Sequence, residues 1–292
     1  ALPTPKANSR SSALATPVDN AALMPFHFWL PNAMVAPTPV SALLHAVAVV
    51  KAGVFTVLKV AIYIFGADLL SKTPATDWVL AVGCFTIVVA SLIALTKDNL
   101  KARLAYSTVS QLAYVTVGAM LANPAGFFGG ALQIAAHAGG KITLFMCAGA
   151  IYVATGATNI SQMRGLGRRM PLVFIAFLVG ALSIIGIPPL AGAWPKFELM
   201  QGAADAAGSG KGYVAWVLIG SSLLNVAYLL PIPLLALMPP AGGPEPIAYK
   251  RPEGAPFFAV AAPVATAILC VVLFFSVGLL GDFLAPVVGG RS

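Results

Sequence analysis

Seven ionisable side chains interrupt stretches that are otherwise apolar: His45, Lys51 and Lys59, then His137 and Lys141, then Lys196 and Glu198. A charge at the centre of a membrane helix costs roughly 2.5–3.5 kcal/mol on insertion scales, so a bundle that carries several has a use for them. Burial disfavours the charged form of an amine, and imidazole already titrates near neutral pH. Groups of this kind, linked by water, are the parts of a proton wire. Lys141, Lys51 and Lys196 are the lysines hardest to explain otherwise. His137 lies four residues before Lys141 on the same helical face, where the two can meet directly or through one water. His45 and Lys51 are six apart and fall on different faces of a regular helix, so each would have to meet a different neighbour.

Simpler readings compete for some of these residues. Lys59 lies towards the end of its run and can snorkel to the membrane interface, and Glu198 can sit at an interface too. Either histidine can be a hydrogen-bonded core residue, and His27, beside Trp29 and Pro31, reads as interfacial. Lys196 and Glu198 point to nearly opposite faces and are not a pair.

Other chemistries find no residues. The sequence has no Cys/His metal spacing, no Gly-rich phosphate loop and no nucleophile elbow, and it offers no site for flavin, haem or an iron–sulfur cluster. Neither a catalytic site nor a cofactor is expected. Cys84, Cys147 and Cys270 are far apart inside apolar runs and read as buried thiols, not a disulfide or zinc framework. The basic residues are dispersed, which argues against nucleic acid as a partner.

These groups need a scaffold, and composition says which kind. Hydrophobic residues are 59% of the chain and charged residues 9%, against about a quarter charged in soluble domains. Seven apolar runs, at 39–67, 77–96, 104–121, 127–155, 171–202, 213–238 and 256–287, predict an all-α integral membrane protein of about seven spans. One or two spans are expected to break near mid-membrane. Gly186, Pro188, Pro189, Gly192 and Pro195 interrupt the fifth run, and such breaks survive in a membrane only where protein or a watery cavity satisfies the freed backbone. Gly129, Gly130, Gly139 and Gly140 permit either close helix approach or a local break in the fourth. Residues 1–19 read as a polar, disordered or atypical tail and not a signal peptide, and residues 20–292 as one membrane domain. Lys97, Lys101, Arg103, Arg164, Arg168, Arg169, Lys250 and Arg251 collect on one side of such a bundle; Lys72, Lys211 and Arg291 collect on the other. The first side is then cytoplasmic and the C-terminus extracytoplasmic.

Several stretches carry a family resemblance. PFHFWLPNAM at 25–34, APTPVSALLH at 36–45 and VKAGVF at 50–55 are similar to the antiporter-like subunits of respiratory complex I, membrane-bound hydrogenases and Mrp-type cation/proton antiporters. DNLKARLAYSTVSQ at 98–111, HAGGK at 137–141 and GIPPLAG at 186–192 agree with the same family, so the resemblance runs from about residue 20 to 203. It implies a proton-translocating subunit of a multisubunit complex, with a slight lean to the Mrp type. Lys141 would be the central proton carrier, His45, Lys51 and His137 would line the wire, and Lys196 would stand towards the outer exit. It also implies other membrane subunits as partners, protons and Na+ as candidate ions, and the bacterial inner membrane as location. In a complex I-like assembly the chain would be one subunit of a NADH:quinone oxidoreductase-type translocase.

The match departs from the family at Asn20, where a lysine is expected, and at Pro195, where a serine is usual. It corresponds to a C-terminal half, and the chain alone is expected not to transport. A degenerate half that only holds partner subunits is the alternative reading. It is opposed by the retention of Lys51, Lys141 and Lys196.

Overall fold

The computed structural model describes residues 23–25, 27, 29–32, 38, 49–238 and 255–288. The tail at 1–19, Asn20, His45, Lys250, Arg251 and Arg291 lie outside the described residues.

Helix starts follow local chemistry. Helix α1, Val49–Lys72, is followed by α2, Pro74–Thr96, whose proline occupies a first-turn position where no backbone donor is needed. Helix α3, Leu100–Met120, is capped by the Asn99 side chain, which accepts from Ala102 N at 3.1 Å. Asn123 does the same for α4, Pro124–Thr155, accepting from Gly126 N at 2.8 Å, and Gly156 in the left-handed region ends that helix. Helices α5, Pro171–Ile185, and α6, Ala193–Asp205, come next. After them run α7, Tyr213–Leu229, continued by Pro231–Leu237, then α8, Phe257–Phe275, and α9, Val277–Val288.

The chain is an all-helical integral membrane protein. Among the described residues, five helices are long and apolar enough to cross a membrane: α1, α2, α4, α7 with its continuation, and α8. Helix α3 has the length, but its run carries Ser107, Thr108, Ser110, Gln111 and Thr116, all fully buried. A helix wrapped by other helices has no need to be greasy on every side. Lipid-facing ones do, and Trp78, Trp216, Leu223, Phe257, Phe258 and Phe275 stand exposed on the outside of the bundle.

The fifth and the last runs each divide into two helices. The fifth divides into α5 and α6 around residues 186–192, as its glycines and prolines predict. The last divides at Ser276, where neither residue type occurs. There the Ser276 hydroxyl donates to Val272 O at 2.9 Å, beside its own backbone N–H at 3.0 Å, although the same bonding at Ser91 and Thr143 leaves α2 and α4 continuous. Of the two readings of the α4 glycines, close approach holds, because α4 is continuous over 32 residues. A Cβ on Gly129 would lie 2.8 Å from Leu199 N of α6, and one on Gly140 would lie 2.8 Å from Ile184 Cδ1 of α5. Helix α4 is accordingly the central post, packed by α3, α5, α6 and α8.

The two ends of the bundle are tied differently. At one, Leu100 N donates to Thr158 O (3.0 Å), Ile160 N to Asp98 O (2.9 Å) and the Ser161 hydroxyl to Asp98 (2.7 Å), which joins the loops at 97–103 and 156–170. At the other, Lys211 pairs with Asp77 at 3.1 Å.

Candidate functional site

Helix α4 brings a polar stripe into the core at Gln133, His137 and Lys141, one turn apart, and all are buried. Lys141 is fully buried and reaches across to α3, where Nζ donates to Leu104 O at 3.0 Å and to Ser107 Oγ at 2.7 Å. His137 goes the other way: its Nδ1 lies 2.7 Å from Lys51 Nζ of α1, and that amine also donates to Ile134 O at 2.9 Å. The shared face of His137 and Lys141 therefore does not become a direct hydrogen bond. His137 Nε2 is buried with no hydrogen-bond partner among the described residues. Beyond them, Gln133 Nε2 donates to Gln111 Oε1 at 2.9 Å and ties α4 to α3.

The broken run builds the third lysine site. Helix α5 stops at Gly186, φ 92°, and Pro188 and Pro189 follow it. Pro189 stands where the helical donor to Ile185 O would be, and it has no N–H to give. Lys196, from the start of α6, takes up that carbonyl at 2.7 Å and also donates to Ser222 Oγ of α7 at 3.1 Å. Its ammonium lies 5.4 Å from the centre of the Tyr114 ring, within range of the ring's negative face. A Cβ on Gly186 would meet Lys196 Cδ at 2.7 Å, so this glycine permits both the turn and the lysine.

Of the remaining candidates, Lys59 is exposed and shares with Lys51 an apolar recess of about 580 Å³ between α1, α4 and α9. Glu198 is buried and packed over Gly129 of α4. His27 is likewise buried within the protein, against Tyr106 with ring centres 6.1 Å apart. Cys84, Cys147 and Cys270 are free and buried.

Sequence reasoning missed helix α7, which it treated as merely hydrophobic. The Tyr228 hydroxyl lies 2.9 Å from Ser107 Oγ, the hydroxyl that takes Lys141, and it also bonds to Asn225 Oδ1. Ser221, Asn225 and Tyr228 recur one turn apart on α7, opposite Ser107 and Tyr114 on α3. That repeat of polar groups along one face of an apolar helix was the available signal.

A membrane bundle with lysines in its interior, held by carbonyls, hydroxyls and an imidazole around a broken helix, defines a class of polar-cored helical membrane folds. The family model described as NADH:quinone oxidoreductase/Mrp antiporter, TM matches residues 13–224, and the chain belongs to that family. It is 38% identical over 213 residues to NAD(P)H-quinone oxidoreductase chain 5 of Synechocystis sp., covering 70% of this chain and 30% of that one. To the chloroplastic NAD(P)H-quinone oxidoreductase subunit 5 of Chara vulgaris it is 35% identical, covering 75% of this chain and 33% of the relative. The fold matches a chain of the Mrp complex from Dietzia sp. with TM-score 0.80 at 24% identity, over 97% of this chain and 60% of that one. It matches a chain of respiratory complex I from Thermus thermophilus with TM-score 0.71 at 28% identity, over 98% and 62%. The chain thus spans about a third of the length of these curated relatives.

Proposed function

We propose that this chain is the proton-conducting C-terminal half of an antiporter-like subunit in a multisubunit membrane complex of the Mrp or complex I/hydrogenase kind. Residues 20–292 form its membrane domain. Lys51 and His137 act on the approach, Lys141 is the central carrier, and Lys196 stands on the way out; His45 belongs to the same path. The observation that carries this reading is Lys141 itself, fully buried with its ammonium on one hydroxyl and one carbonyl. Among the described residues no counter-charge fixes this amine, and an amine held by neutral acceptors can hand its proton on. Other membrane subunits of such a complex are its partners, and protons, with Na+ in an antiporter, its ions. We place it in a bacterial inner membrane with the loops at 97–103 and 156–170 cytoplasmic and the C-terminus outside.

The test is Lys141→Ala in the assembled complex, with proton translocation measured in membrane vesicles and assembly followed by native gel. Translocation through this subunit is expected to vanish while assembly persists. Wild-type translocation would leave a scaffold in place of a conductor.

A further inference from the structure

Three buried polar atoms on the α3–α7 seam have no hydrogen-bond partner among the described residues: the Tyr114 hydroxyl, the Ser221 hydroxyl and the Asn225 amide nitrogen. They belong together. The Tyr114 hydroxyl lies within interaction range of Ser221, Ser222 and Asn225, without a hydrogen bond of ordinary length and angle to any of them. Tyr114, Ser221 and Asn225 are each fully buried. Polar groups buried in this way are satisfied by water, and a buried water makes about three hydrogen bonds.

The seam has charged groups at both ends. At one, Lys141 Nζ donates to Ser107 Oγ, and Ser107 meets the Tyr228 hydroxyl, which is clasped to Asn225. At the other, Ser222, next to Ser221, takes Lys196 Nζ at 3.1 Å, with the ammonium over the Tyr114 ring.

We propose that a water-binding site lies between α3 and α7, walled by the Tyr114 hydroxyl, the Ser221 hydroxyl and the Asn225 amide nitrogen, and that Ser107 and Tyr228 connect Lys141 to it. Helix α7 is then a conducting element between Lys141 and Lys196. This rests on the proton-conducting reading of Lys141. The Lys141 ammonium gives a proton to Ser107 Oγ as the serine's own hydroxyl proton passes to the Tyr228 oxygen. The phenolic proton leaves for the bound water once the O–H turns away from Asn225 Oδ1, and the water passes its excess proton towards Lys196. Each oxygen gains one proton and loses one, so no charge stays on the relay. Asn225 carries no proton, since an amide oxygen is too weak a base. It is a positioning residue that holds the phenol with one face and the water with the other.

The test uses membrane vesicles carrying the assembled complex. Tyr228→Phe keeps the ring and removes one oxygen, and it should slow proton translocation by about tenfold or more. Its rate should also show a larger H2O/D2O ratio than wild type, because the damaged transfer now limits turnover; a merely structural hydroxyl would leave that ratio unmoved. Ser107→Ala breaks the same link and serves if Tyr228→Phe fails to assemble. Ser91→Ala removes a hydroxyl equally buried in the Ser91–Ser110 pair, 2.9 Å apart and off the seam, and should leave the rate unchanged. Wild-type rate and isotope ratio in assembled Tyr228→Phe or Ser107→Ala, beside an inactive Lys141→Ala, would overturn the relay and leave the Lys141 reading standing. Full activity in Lys141→Ala as well would overturn both.

Discussion

Lys141 turns to α3 and His137 turns to α1, although they stand one turn apart on α4. Long side chains on a helix lean towards its N-terminus, and each here finds its partner on a neighbouring helix: a serine hydroxyl for Lys141, the Lys51 amine for His137. The lysines were legible in the sequence because charge in an apolar run is rare and costly, a signal that survives without knowing what packs against what. Their partners were not legible, since Leu104 O and Ile134 O are backbone carbonyls that any residue supplies. The same asymmetry in replaceability separates the two α4 residues. His137→Ala removes one of two acceptors from Lys51 and leaves space for water, which bridges nearly as well as a direct hydrogen bond. Translocation in the assembled complex is expected to fall by only a few fold, measured beside Lys141→Ala. Complete loss in His137→Ala would mean that the imidazole itself carries the proton.

At the scale of elements, the break between α5 and α6 shows how prolines and a glycine make a lysine site. Pro189 leaves Ile185 O without its helical donor, Gly186 turns the chain at φ 92°, and Lys196 returns to take the carbonyl. The break was readable from Gly and Pro alone. The division at Ser276 was not, because no glycine or proline stands at that position to mark it. Helix α7 was the larger omission: Asn225 and Tyr228 are uncharged, and hydropathy averages them away among their leucines and valines. Gly186→Ala tests the break. An L-residue in the left-handed region costs about 1–2 kcal/mol, and the added Cβ would press on Lys196 Cδ at 2.7 Å. The variant complex should melt at a lower temperature and translocate more slowly, and wild-type values for both would show that Lys196 does not depend on this turn.

Across the whole molecule, the basic residues sort by side. Hydrogen bonds hold the loops carrying Lys97, Lys101, Arg164 and Arg168 against one another, while Lys211 meets Asp77 at the opposite end. On the topology proposed above, the first end is the cytoplasmic one. Single cysteines introduced at Lys101 and Lys72 should therefore label from opposite faces of sealed vesicles, and labelling from the same face would overturn the topology. Within that frame the central claim is that Lys141 passes protons on, which differs from saying that a positive charge is needed at its position. Lys141→Arg separates the two, because a guanidinium keeps the charge and the donors but does not release its proton near neutral pH. The decisive measurement is proton translocation in vesicles bearing the fully assembled Lys141→Arg complex. The account predicts none through this subunit, and translocation at the wild-type rate would contradict it.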